Sequence, residues 1–318
     1  MSTIHKLAIA FPGQGAQTLG MGLDVLDKHP ELRYLLDIAE AQTGAPLEEI
    51  INLGDQRIHQ TIYTQPTILL AELLLYEDVQ SFVKITPAAL CGFSLGEYAA
   101  LYAGGVFDVS QAFRLIDIRA KAMHEAAMNN PGSMAAILGL DIPKTIEACV
   151  QSLTSEEIVV PANFNCPGQI VISGHANAVG RAISACLSLG ARRAMPLSVS
   201  GAFHSPLMSK ARETFQQALN TAILQPPLIP IFMNTTAKPL RFDGIKLRMA
   251  EQIEKPVLFE QTVYALKEMG ITCILEIGPG TVLAGLIRKC APDIDVFSYQ
   301  KTTDIELLKG WLQSHELI

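Results

Sequence analysis

A serine set between two glycines, Gly92-Phe93-Ser94-Leu95-Gly96, follows the apolar run Ala88 to Cys91 and precedes a small-residue helical pattern from Glu97 to Tyr102. An apolar run, a glycine-flanked turn and a helix in immediate succession demand that a buried strand end abruptly and the chain reverse. Such a turn pushes the serine side chain out of the sheet at the N-terminus of a helix. Unpaired amides and the helix dipole favour developing negative charge there. The plain alternative is a glycine-flanked turn with no chemistry, and the motif alone leaves both readings open.

The same alternation runs through the whole chain and predicts an α/β fold. Lys6 to Phe11 is a short apolar run ending in Pro12-Gly13-Gln14-Gly15, a strand entering a tight turn. Thr64-Gln65-Pro66 is read as the opening of a long helix, with Pro66 near its first position. Asp108 followed by Gln111 resembles a capping box and opens the helix that carries Arg119. In the middle, Met134–Leu140 reads as strand, 143–153 as helix, 158–163 and 169–173 as strands, 177–189 as helix and 194–199 as strand. That order, β-α-β-β-α-β, is the ferredoxin-like pattern. The expected architecture is therefore a hydrolase-like large α/β subdomain with a parallel sheet (1–128 and 197–318) into which a ferredoxin-like small subdomain (129–196) is inserted.

Of the 318 residues, 49% are hydrophobic and only 17% charged, so much of the chain must be interior. The richest run, Pro66 to Val83, is broken by Glu72, Glu77 and Asp78 and falls short of the roughly 18 apolar residues of a membrane span. Met1 to Phe11 has only a short apolar core and no small-residue cleavage site, so no signal peptide is expected. The six cysteines form no CxxC pair and no metal spacing, which fits reduced thiols of a cytoplasmic protein. A net charge of −7 argues against nucleic acid as a general partner. No membrane association, no metal and no bound cofactor are expected. Gly13-Gln14-Gly15 lacks the third glycine of a dinucleotide fingerprint, and Gly278-Pro279-Gly280 reads as a strand-to-helix turn.

A nucleophilic serine needs a base. Among the seven histidines, His5, His29, His59 and His315 sit in polar, terminal or loop-like surroundings, His175 at a turn, and His124 on the helix of Arg119. His204 differs, because it follows Val199-Ser200-Gly201-Ala202-Phe203 just past a strand end, where active-site loops of open sheets gather. The pattern leaves it either a base or a satisfied core histidine. No acidic third partner stands out.

Seven segments then occur together and in order: Phe11 to Gln17, Tyr63-Thr64-Gln65-Pro66, Gly92 to Tyr98, Gly132 to Ala136, Pro161 to Asn165, Gly201 to Ser205 and Glu276 to Gly280. Together they resemble the malonyl-CoA:acyl-carrier-protein transacylases over nearly the full chain. The resemblance implies Ser94 as nucleophile and His204 as its base, with the histidine oriented by a main-chain carbonyl supplied by Gln252. It implies an oxyanion hole from the amides of Gln14 and Leu95, polar lining from Gln65 and Asn163, and Arg119 as the grip on the free malonyl carboxylate. An arginine fork suits a carboxylate because it makes two charge-assisted hydrogen bonds. Two positions depart from the family pattern: Phe93 stands where histidine is usual before the nucleophile, and Ala120 where glycine is common after the arginine. Phe203 is read either as limiting space beside the substrate's α-carbon or as simple core packing.

The implied activity is transfer of malonyl from malonyl-CoA to the phosphopantetheine thiol of an acyl carrier protein, through a malonyl ester on Ser94, with malonyl-CoA as substrate and no bound cofactor. It would supply extender units for fatty acid or polyketide synthesis from a monomer. Carrier proteins are acidic, so docking needs a local basic patch, for which Arg192, Arg193, Lys210, Arg212, Arg288 and Lys289 are candidates. Two other classes compete: an acyl hydrolase clearing stalled acyl groups from carrier proteins, and a non-catalytic carrier-binding module.

Overall fold

In the computed structural model, which describes residues 5–318, two sheets share the chain. Residues 1–4, part of the segment read for a signal peptide, lie outside the described residues. The strands in chain order are β1 (Leu7–Phe11), β2 (Ala89–Gly92), β3 (Ser133–Leu138), β4 (Val159–Cys166), β5 (Gln169–Gly174), β6 (Arg193–Pro196), β7 (Ile231–Met233), β8 (Lys238–Pro239), β9 (Val257–Leu258), β10 (Cys273–Ile277) and β11 (Asp295–Tyr299).

The first sheet has the order β11-β10-β1-β2-β7-β8. Its first five strands are mutually parallel, and the short β8 is antiparallel at the edge. A parallel sheet covered on both faces needs strands apolar on both faces, and β1 shows how: Leu7, Ile9 and Phe11 enter one core while Ala8 and Ala10 enter the other. All five of its residues are buried. The carboxyl ends of β1, β2, β7 and β10 therefore open onto one edge of the sheet, the place where open α/β sheets bind ligands.

The second sheet has the order β6-β3-β5-β4-β9. Its first four strands pair antiparallel in the ferredoxin-like arrangement, with the helices Ile142–Gln151 and Ala176–Ser188 packed on one face over Ile137, Val159 and Ile172. The opposite face turns Met134, Ala136, Ala162 and Val171 toward the larger core. The fifth strand, β9, comes from far along the chain and pairs parallel with β4 through Asn163↔Val257 and Phe164↔Leu258. The second sheet thus draws a strand from outside 129–196, which the local pattern could not foresee.

Two local expectations need correction. Pro66 is not at the start of its helix: the helix runs Thr61–Phe82, so Pro66 lies inside it. Proline cannot donate within a helix, so the carbonyl of Ile62, four residues earlier, loses its helical amide donor; the flanking hydroxyls bond instead to neighbouring carbonyls, Thr64 to Gln60 (2.9 Å) and Thr67 to Tyr63 (2.8 Å). The strand expected over 194–199 ends at Pro196, and Leu197 and Val199 instead line the cavity described below. The cap at Asp108 is formed, its carboxylate accepting from the Gln111 amide at 2.8 Å. No helix among the described residues is long and apolar enough to cross a membrane.

Candidate active site

The turn after β2 leaves no room for side chains at its glycines. A Cβ on Gly92 would lie 2.0 Å from the carbonyl carbon of Gly96, and one on Gly96 would lie 2.2 Å from the Pro12 carbonyl oxygen. Between them Ser94 adopts φ 53°, a left-handed conformation that costs an L-residue energy and persists only where its surroundings impose it. The helix Gly96–Ala103 follows at once. Ser94 Oγ lies 2.8 Å from His204 Nε2, and the Nδ1–H of His204 points at two main-chain carbonyls, Gln252 at 2.8 Å and Lys255 at 3.2 Å. With Nδ1 committed as donor, Nε2 is the acceptor, the tautomer a base needs. The partner that a triad search looks for among carboxylates is here main-chain oxygen.

His204 is itself buried and left-handed, at φ 56°. Burial pushes its pKa down to about 4; the nearby Arg119 charge adds to the depression, and the two carbonyl hydrogen bonds oppose it. The imidazole is therefore neutral at physiological pH.

Arg119 reaches the same point from the helix Val109–Asn129. It is 1% exposed, and its hydrogen-bonding partners are all uncharged oxygens: Gln65 Oε1 on Nη1, and Ser94 Oγ (3.1 Å) and Gln252 Oε1 (2.9 Å) on Nη2. Its Nε has no partner among the described residues, and the Tyr98 ring lies 5.7 Å from its Cζ. Burial lowers its pKa, opposed by Tyr98 and Glu97. A buried guanidinium without a paired carboxylate is an expensive arrangement, and it faces a cavity of about 110 Å³.

The cavity is lined by Gln14, Gln65, Ser94, Leu95, Arg119, Asn163, Phe203 and His204 together with Phe93, Met123, Met134, Leu197 and Val199. Every lining residue expected from the sequence is thus brought to one place, and Gln252 stands directly behind. The amides of Gln14 and Leu95 donate to no other group among the described residues. Phe93 packs edge-on against Phe259 at 5.5 Å and, with Gln14, Asn163 and Leu197, lines both the cavity and an adjoining groove of about 230 Å³, whose walls also include Asn165, Gln169, Val282 and Leu286. The docking candidates fare unevenly: Lys210 and Arg212 are engaged by Glu213 and Glu254, Arg288 donates to the Val296 carbonyl, and Lys289 reaches Gln169 at the groove.

Sequence reasoning missed Lys255, Glu97 and Asn234. Glu97 is buried, and its carboxyl is pushed up to about 7 by burial, opposed by the Asn234 amide, Arg119 and Gln252. Asn234 holds the Ser94 amide at 2.7 Å across 140 positions of sequence, a separation no local pattern reveals.

Known proteins share sequence and fold with nearly the whole chain. Residues 9–302 match the family model described as the acyl transferase domain. The malonyl CoA-acyl carrier protein transacylase of Escherichia coli K12 is 37% identical over 286 residues, covering 89% of this chain and 92% of that protein. The crystal structure of the malonyl-CoA:acyl carrier protein transacylase of Xanthomonas oryzae pv. oryzae matches with a TM-score of 0.91 at 36% identity, covering 99% of both chains. A malonyl-transacylase solved in complex with its type II polyketide-synthase acyl-carrier protein matches with a TM-score of 0.91 at 35% identity, covering 96% of this chain and 99% of that one. The chain belongs to the malonyl CoA-acyl carrier protein transacylase family.

Proposed function

We propose that this enzyme transfers malonyl from malonyl-CoA to the phosphopantetheine thiol of an acyl carrier protein in two half-reactions through one ester. Ser94 Oγ attacks the thioester carbonyl as His204 Nε2 takes its proton. The oxyanion sits on the Gln14 and Leu95 amides, and the intermediate collapses with coenzyme A leaving as the thiol, protonated by His204. The carrier thiol then gives its proton to His204 and attacks the ester, and Ser94 leaves with that proton. The malonyl carboxylate waits on Arg119 throughout, with Gln65 and Asn163 lining its seat and Phe203 bounding the α-carbon. Gln252 holds the His204 tautomer.

The observation that carries this reading is Arg119, a buried cation beside Ser94 whose partners are all neutral oxygens. An anionic acyl group supplies the missing charge, whereas a hydrolase for neutral acyl chains gains nothing from it. We further propose the division of the chain into 1–128 with 197–318 and 129–196, and a cytoplasmic location, the latter supported by six free cysteines, all buried.

Intact-protein mass after exposure to equal malonyl-CoA and acetyl-CoA tests the proposal. The expected result is one malonyl adduct, absent in Ser94→Ala and discharged onto added carrier protein. An acetyl adduct, or an ester lost to water without carrier, would favour the hydrolase.

A further inference from the structure

Resting on the reading of Ser94 as nucleophile, we propose that Asn234 is a positioning residue, a clasp that holds Ser94 in its left-handed conformation and reserves the Leu95 amide for the reacting oxygen. Asn234 is the first residue after β7, which runs parallel beside β2 with Leu90 opposite Ile231 and Cys91 opposite Phe232. Where both strands stop, its side chain takes over the pairing. Oδ1 accepts from the Ser94 amide at 2.7 Å, and Nδ2 donates to the Gly92 carbonyl at 2.6 Å. One planar amide thus grips the backbone on both sides of Phe93, at the point where the chain leaves the sheet.

The clasp is itself held. The Asn234 main-chain N–H donates to Glu97 Oε2 at 2.7 Å, and its carbonyl accepts from Leu258 of β9 at 2.8 Å. Asn234 is 3% exposed, so none of these bonds competes with bulk water.

Hydrogen-bond accounting over the turn shows what the clasp achieves. The Ser94 amide goes to Asn234, the Gly96 amide to the Phe93 carbonyl and the Glu97 amide to the Ser94 carbonyl. Leu95 alone of these four keeps a donor with no acceptor among the described residues. Without Asn234, the Ser94 amide would be released as a second donor in the same turn, and the backbone could relax from φ 53°.

The clasp also explains why the residue is an amide. One bond requires an acceptor and the other a donor, which asparagine offers and an ionised aspartate does not. Asn234→Asp would press a carboxylate oxygen against the Gly92 carbonyl until protonation turned it into a donor. The charged or titratable groups around this junction are Glu97, His204 and Arg119; His204 stays neutral down to about 4.

The test measures phosphonylation of Ser94 by a fluorophosphonate and malonyl transfer, both on the folded fraction of each variant. Asn234→Ala is expected to slow both by about 10²-fold, the scale of a misplaced reacting group. KM for malonyl-CoA should change by no more than about twofold, because Arg119 and Gln65 are untouched. Asn234→Asp is expected to be similarly slow at about pH 8 and to recover relative to wild type toward about pH 5.5 as the new carboxyl binds its proton. A residue that only fills space would give an unchanged pH profile. Phosphonylation of Asn234→Ala within about threefold of wild type would overturn the proposal, as would an Asp profile parallel to wild type, or failure of both variants to fold. If wild type itself forms no malonyl adduct, the transfer reading falls; a wild-type adduct with an unaffected Asn234→Ala defeats the clasp alone.

Discussion

Ser94 and Arg119 meet 3.1 Å apart, yet the two walls that deliver them are built on opposite terms. The serine wall is made of backbone: two glycines with no room for a Cβ, a left-handed serine, free amides at Gln14 and Leu95, and a histidine oriented by main-chain carbonyls. It carries no net charge and suits any acyl carbonyl. The arginine wall is made of side chains around one buried cation with only neutral partners. Its charge is matched by an anionic group, and it touches the serine wall where Arg119 donates to Ser94 Oγ and where Gln252 serves both Arg119 and His204. Reactivity and selectivity therefore rest on different groups that meet at these shared contacts.

The largest expected effect tests that separation directly. Arg119→Ala should lower kcat/KM for malonyl transfer by about 2–5 kcal/mol, the scale of unpairing a desolvated charge. Transfer of acetyl, which has no carboxylate, should fall far less. Equal losses for both acyl groups, measured with both coenzyme A esters, would show that Arg119 serves Ser94 and would erase the distinction. The converse variant is Gly96→Ala, whose Cβ would strike the carbonyl oxygens of Pro12 and Phe11 at 2.2 and 2.3 Å. It should slow malonyl and acetyl transfer alike, by about 10²-fold, and lower Tm.

A pH profile shows where the walls interact. His204 must be neutral to accept a proton, and its pKa is depressed to about 4, so kcat/KM should hold through pH 6.5 and fall only as pH drops toward 4. Arg119 is the second cause of that depression, so in Arg119→Ala the acid limb should move upward. A wild-type limb near 6.5 that persists in Glu97→Gln would mean that the imidazole is solvated, whereas one that vanishes would belong to Glu97, whose carboxyl is pushed up to about 7.

The smallest effect concerns a buried acid with no such use. Glu72, on the helix Thr61–Phe82 and close beneath Gly278, is buried with both carboxyl oxygens lacking a partner among the described residues. Burial raises its pKa well above 4.5, so the unfolded chain releases this proton first, and stability declines as pH rises above about 4.5. Glu72→Leu should add about 1–3 kcal/mol at neutral pH, the range for an unsatisfied buried polar group, and the gain should shrink toward pH 4 in chemical denaturation. A gain independent of pH would assign the effect to packing.

What could be read from the sequence divides along the same line. Local rules exposed Ser94, because tight turns need glycine, and the helix of Arg119, because Asp108 caps it. They placed the β-α-β-β-α-β order of the second sheet correctly and misplaced Pro66, whose helix begins about a turn earlier, at Thr61. The His204 orienter was illegible as chemistry, since any residue has a carbonyl; only resemblance pointed to Gln252, and nothing pointed to Lys255. Asn234 and Glu97 were invisible for a different reason. Their roles exist only once β2 and β7 lie side by side, and no spacing within either segment encodes that.

The strand β9 has a consequence for the order in which this molecule can be assembled. As the chain emerges N-terminus first, β3 to β6 can pair among themselves, yet the outer edge of β4 stays open until residues 257–258 arrive. A nascent chain therefore exposes a bare strand edge, carrying Asn163, while the segment from β6 to β9 is being made. Open edges of this kind recruit foreign strands. Truncation before Val257 should thus yield a sticky fragment rather than a tidy half-enzyme, and His204 gains the main-chain carbonyls of Gln252 and Lys255 only as the segment leading into β9 arrives.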